Sequence, residues 1–150
     1  AIIDKRRPKP NSSEIMNILV IDAQGGGIGK QVVTAVKERF EVASVIAVGT
    51  NSVATTAMRK AGADFSATGE NAVVVNSRKA DVIIGPVGIV IADSLWGEIT
   101  PKMATAIGQS DAVRILIPVN HCNNVVAGVK DLGITELVKD VVDKLSKIKM

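Results

Sequence analysis

The passage that most constrains this chain is Ile18-Leu-Val-Ile21-Asp22-Ala-Gln24-Gly25-Gly-Gly27-Ile28-Gly29-Lys30. Four apolar residues run into three consecutive glycines. Val32, Val33, Val36 and Phe40 then recur at helical spacing. A strand, a glycine turn and a helix in that order open a βαβ unit. Such glycines let backbone N–H groups turn outward, and the helix N-terminus adds a partial positive charge, so the loop is suited to an anion. Gly25, Gly26, Gly27, Ile28, Gly29 and Lys30 are the candidate ligand-binding residues. Asp22 is a candidate catalytic base or partner for a ligand hydroxyl; in the plainer reading it caps the loop's N–H groups. Lys30 either neutralises a phosphate or is a solvated helix residue. Read as architecture alone, the glycines only permit a tight turn.

The alternation continues along the chain. Ser44–Val48 reads as a second strand closed by Gly49-Thr50-Asn51, and a helix follows over about 52–61, with Gly62 ending it. Ala63–Phe65 is expected to be a short strand, and a helix is expected from about Thr68 to Lys79. Asp81–Gly85 is a buried strand, after which Ile89–Ala92 either continues it or opens a helix. Thr100-Pro101 starts another helix, with Pro at the first helical position. Arg114–Val119 is the last clear strand, and Val125–Val129 is a candidate edge strand. Ile134, Leu137, Val138, Val141, Val142, Leu145 and Ile148 form one apolar stripe on a final helix, with Thr135 as its expected N-cap. Strands that read as unbroken Val/Ile/Leu runs, separated by helices, imply a parallel sheet covered on both faces. The expected fold is a three-layer α/β domain of Rossmann-like or flavodoxin-like type with a mainly parallel sheet. It occupies residues 16–150, behind a basic tail or fusion remnant over 1–15.

Charge and composition exclude several functions. Four of the 18 basic residues but only two of the 15 acidic ones lie in residues 1–15, so the remainder is nearly neutral. With two Phe, one Trp and no Tyr, the chain lacks both the basic surface and the stacking residues of a nucleic-acid binder. No apolar run reaches the roughly 18 residues of a membrane span. One cysteine, Cys122, cannot form an internal disulfide, which suits a reducing compartment; the expected location is the cytoplasm. With His121 and Cys122 as the only His and Cys, no metal site is expected. The apolar segment Val87–Ala92, followed by Leu95-Trp96, exceeds what one strand position hides, so a homodimer or higher homo-oligomer is expected.

Ligands of such sheets bind beyond the carboxyl ends of the strands. Thr50, Asn51 and Asn120 collect there beside the glycine loop. The sharper motifs fail. Counted from Gly25, the dinucleotide fingerprint needs Gly where Lys30 stands, and the P-loop needs Ser or Thr where Gln31 stands. Gly27-Ile-Gly29-Lys30 is similar to the short-chain dehydrogenase fingerprint, but the chain has no Tyr to donate their proton, and no acidic residue closes strand two. The expected ligand is a nucleotide or another phosphorylated small molecule. Whether the domain senses it or turns it over is open; a structural or assembly role without ligand is the third reading.

Three resemblances bear on this. Residues 1–16, Ala-Ile-Ile-Asp-Lys5-Arg-Arg7-Pro-Lys-Pro-Asn-Ser-Ser-Glu-Ile-Met, resemble the flexible catalytic loop of bacterial ribose-phosphate pyrophosphokinases. There the residues matching Lys5 and Arg7 touch ATP phosphates, but that family's phosphoribosyl-binding loop is missing, so its activity is not implied. The glycine loop, Gly49-Thr-Asn51, Ala67-Thr-Gly-Glu-Asn71-Ala, Ile84-Gly-Pro-Val-Gly-Ile89, Gly97-Glu-Ile-Thr-Pro-Lys102 and Ile117-Pro-Val-Asn120-x-Cys122 occur in that order. With them, residues 16–145 resemble a small bacterial family of uncharacterised proteins, a domain of unknown function. Gly49-Thr50 and Ile117-Pro-Val-Asn120 also resemble, loosely, methylglyoxal synthase-like domains. That resemblance implies a phosphate site, without matching the family's paired catalytic Asp positions; the accompanying alternative is a lyase or transferase acting on a small phosphorylated metabolite, for which Asp22 is the candidate base.

Overall fold

A computed structural model describes residues 15–119 and 123–148. The first strand, β1 (Asn17–Asp22), leads through the glycine loop into α1 (Gly27–Arg39). Then follow β2 (Ser44–Gly49), α2 (Ser52–Lys60), β3 (Phe65–Thr68), α3 (Glu70–Lys79) and β4 (Val82–Pro86). A 3-10 turn over Val87–Val90 precedes α4 (Pro101–Gln109), β5 (Val113–Ile117) and α5 (Ile134–Ser146). All five strands are parallel, in the order β3-β2-β1-β4-β5. This is a three-layer α/β fold, and the strand order is that of the Rossmann type rather than 2-1-3-4-5.

The alternation of β1 shows why both faces are covered. Ile18 and Val20 point into one core with Val32, Val33 and Val36 of α1, Met58 of α2 and the α5 stripe. Leu19 and Ile21 point into the other with Val73, Ile89, Met103 and Ile107. Right-handed crossovers dictate the helix placement. Moving outward from β1 to β3 puts α1 and α2 on one face, and returning through β4 to β5 puts α3 and α4 on the other. The last helix among the described residues, α5, packs beside α1.

Several local expectations shift. The third strand spans Phe65–Thr68 instead of 63–65, because its ladder with β2 runs from Phe65↔Ile46 to Thr68↔Gly49. Thr68 therefore ends a strand, and α3 begins after Gly69, which has φ +100°. Residues 89–92 neither extend β4 nor form an α-helix; the chain makes the 3-10 turn. Val125–Val129 forms no strand: Gly128 sits at φ +78° and breaks the run. Helix α5 starts two residues earlier than expected, with Gly133 at the N-cap position, because Ile134 already packs on the core; Thr135 lies inside the first turn. Most of the apolar stretch 87–95 is hidden, with Ile89 and Leu95 in the second core, whereas Trp96 stands out at 95% exposure.

Candidate functional site

The loops after β1 and β4 part to opposite faces, so the crevice of this sheet lies between them, at the carboxyl ends of its strands. The β1–α1 turn is built by Asp22. Its carboxylate accepts the N–H of Ala23 through Oδ1 at 2.8 Å and that of Gly29 through Oδ2 at 2.7 Å. Burial pushes its pKa above the ordinary 3.8; the N–H donors of Gly29 and Ala23 pull it back, and the nearby charge of Glu98 pushes it up again. Both oxygens are committed to the backbone, and the residue is buried. The carboxylate caps the loop's N–H groups, the arrangement of the plainer reading.

The glycines divide the work. A Cβ on Gly29 would meet Met58 Sδ at 2.5 Å, Asp22 Cβ at 2.8 Å and Asp22 Oδ2 at 3.0 Å. Gly29 is therefore the close-packing glycine that lets α1 lie on the sheet. Counting back from it, the dinucleotide fingerprint runs Gln24-x-Gly26-x-x-Gly29, one residue earlier than a count from Gly25 suggests. Gln24 stands where the first glycine belongs, and it adopts that glycine's left-handed conformation, with φ +52°. Gly26, at φ +71°, is the N-cap of α1, and a Cβ there would strike the Ala54 backbone at 2.8 Å. Gly25 and Gly27 face open space, with nothing within 4 Å of a Cβ. They are the members of the triplet that a ligand can approach. Ile28 is half-buried against the first core. Lys30 points elsewhere: it lines a 980 Å³ groove across the outward face of α1, between α2 and α5, with Ser52, Val53, Lys60 and Lys139.

Thr50 and Asn51 do converge on the loop, but on a residue the sequence pattern does not reveal. Glu98 reaches over from the segment after β4. Its Oε1 accepts from Thr50 Oγ1 at 2.8 Å and from Asn51 Nδ2 at 2.6 Å, and both its oxygens lie 3.1 Å from the Gln24 N–H. Burial raises its pKa, but the donors Thr50, Asn51 and Gln24 outweigh it and hold Glu98 below the ordinary 4.5. Asn51 also caps α2 through Ala54 N and donates to the Gln24 carbonyl at 3.0 Å. An acid thus stands at the end of β2, supplied from a different loop. Its linear signal is its place in the Gly97-Glu-Ile-Thr-Pro-Lys102 motif, which gives it no role by itself, because its partners lie 47 to 74 residues away.

The segment that delivers Glu98 has unusual geometry. Leu95, Trp96 and Gly97 are consecutive left-handed residues, at φ +54°, +59° and +83°, and Asp93 has φ +64°. For a residue with a Cβ this conformation costs about 1–2 kcal/mol. Buried Leu95, the hydrogen bond from Ser94 Oγ to the Gly88 carbonyl, and the Glu98 contacts hold it in place. Asn120, expected in the same crevice, lies outside the described residues, as do His121, Cys122 and the tail residues Lys5 and Arg7.

A family model described as a domain of unknown function, DUF3842, matches residues 17–150. The chain belongs to the DUF3842 family. No curated protein matches it. Among solved structures, this DUF3842 chain is similar to the dodecameric FMN-dependent UbiX-like decarboxylase of Escherichia coli O157:H7. The similarity covers 87% of this chain and 94% of that one, at 16% identity and a TM-score of 0.45. Among the described residues no helix is long and apolar enough to cross a membrane.

Proposed function

We propose that this domain binds a phosphorylated small molecule that also carries hydroxyl groups, a sugar phosphate or nucleotide, at the carboxyl end of β1. The observation that carries the reading is the division among the glycines. Gly26 and Gly29 are consumed by packing, whereas Gly25 and Gly27 leave backbone open at the start of α1, where N–H groups and the helix dipole favour an anion. Glu98 sets the other half of the specificity. Among the described residues its Oε2 receives only the shared Gln24 N–H, which leaves acceptor capacity for a ligand hydroxyl, while its charge repels a second anionic group. Thr50 and Asn51 act through Glu98 rather than on the ligand, and Lys30 takes no part.

The test is Gly27→Val, screened by calorimetry against ribose 5-phosphate, nucleoside monophosphates and inorganic phosphate. Gly27 is the first helical residue, has no left-handed φ and faces open space, so the variant is expected to fold. Its side chain would fill the ligand's place and abolish binding. If no phosphorylated compound binds the parent, or if Gly27→Val binds it equally well, the glycines serve only as a turn.

A further inference from the structure

Trp96 is the sole tryptophan of the chain, and 95% of it is exposed. Large aromatic side chains are seldom left so open, and this one is held out by backbone geometry that side chains rarely adopt. Its neighbours fix its place. One residue before it, Leu95 is buried in the core that contains Ile21 and Ala23 at the end of β1. Two residues after it, Glu98 is bonded to Gln24, Thr50 and Asn51. Two residues of chain span at most about 7 Å, so the indole is tethered to the rim of the crevice. The hydrogen bonds Gly97 N to Asp93 O at 3.2 Å, Ile99 N to Ser94 O at 3.3 Å and Asp93 N to Ile99 O at 2.7 Å close the loop on itself. The ring is therefore carried on a compact, cross-bonded loop. An exposed aromatic face beside a phosphate site is what a planar base needs, because every base has a π-face to stack.

We infer that Trp96 is the stacking platform for the base of a nucleotide whose phosphate sits at Gly25 and Gly27, so that the ligand class is nucleotides rather than plain sugar phosphates. The inference rests on the phosphate reading of the glycine loop. Substitution of Trp96 removes an almost fully exposed side chain, so the fold is retained in the variant.

The experiment titrates the full chain with AMP, GMP, CMP, UMP and ribose 5-phosphate by calorimetry, and follows tryptophan emission in parallel. At least one nucleotide is expected to bind more tightly than ribose 5-phosphate and to quench the emission, which comes from Trp96 alone. In Trp96→Ala that nucleotide should weaken roughly 5- to 150-fold, the range of a lost base–aromatic stack, while ribose 5-phosphate is unchanged; Trp96→Phe should recover part of the loss. Equal binding of nucleotide and ribose 5-phosphate, indifferent to Trp96→Ala, overturns the stack and leaves the phosphate site standing. Dissociation of an oligomer by Trp96→Ala with nucleotide affinity unchanged also overturns it, and assigns the indole to a protein contact. If none of the five compounds binds, both readings fall together.

Discussion

Replacing Gly29 by Ala adds one methyl group at the tightest point of the β1–α1 junction. That carbon would lie 2.5 Å from Met58 Sδ, 2.8 Å from Asp22 Cβ and 3.0 Å from Asp22 Oδ2. Comfortable carbon contacts are about 3.5–4.0 Å. Met58 has flexible torsions and can yield, but Asp22 Cβ belongs to a central strand, so α1 must lift. Lifting stretches the 2.7 Å bond from Gly29 N to Asp22 Oδ2. Overpacking costs about 1–3 kcal/mol, and a hydrogen bond to a charged group contributes about 1.5–3 kcal/mol. The two together predict a loss of about 2.5–6 kcal/mol, or roughly 5–24 °C in Tm for a domain of this size. Gly27→Ala is the internal control. Its Cβ meets nothing, and the lost freedom of the unfolded chain should stabilise it by about 0.4–1 kcal/mol. Chemical denaturation of both variants by urea decides the matter. A Gly29→Ala protein within about 1 kcal/mol of the parent, or a Gly27→Ala protein equally damaged, would refute the division of roles among the glycines.

Two further outcomes are expected. Asp64 is held below its ordinary pKa of 3.8, chiefly by the Val45 N–H and, against the cost of burial, by Lys37 at 2.9 Å. Its contribution to stability is therefore present above 3.8 and lost as pH falls through the depressed value, so the Tm advantage of the parent over Asp64→Asn should shrink on acidification; an advantage independent of pH would contradict this. Exposed Val125, Val126, Val129 and Leu132, on one segment before α5, call for an apolar cover, and light scattering at micromolar concentration is expected to give at least a dimer mass; a monomer mass removes the idea.

How much of this the sequence disclosed follows from the range of the interactions. The strands and helices were readable because their signal is local: Val32, Val33 and Val36 announce a helix, and Ile18–Ile21 a buried strand, without knowledge of any neighbour. The shift of β3 to Phe65–Thr68 was not readable, because register is set by the partner strand; Phe65 itself is exposed and gives no burial pattern. The glycine loop is legible in the sequence but its frame is not, since only contact with Met58 and Asp22 shows that Gly29 is the packing glycine. Thr50 and Asn51 follow β2, as their place in the sequence implies, but the partner they share is not legible there. Nothing in the order of residues says that Glu98 crosses the crevice to meet them.

That crossing has a mechanical consequence. A single carboxylate ties together three loops that belong to different βα units and would otherwise fluctuate separately. Opening any one of them exposes hydrogen bonds of the other two, so they share one opening free energy and form a cooperative unit of local unfolding. The mouth of this domain therefore behaves as a clasp with one catch, and a change in Thr50, Asn51 or Glu98 is felt along the whole rim.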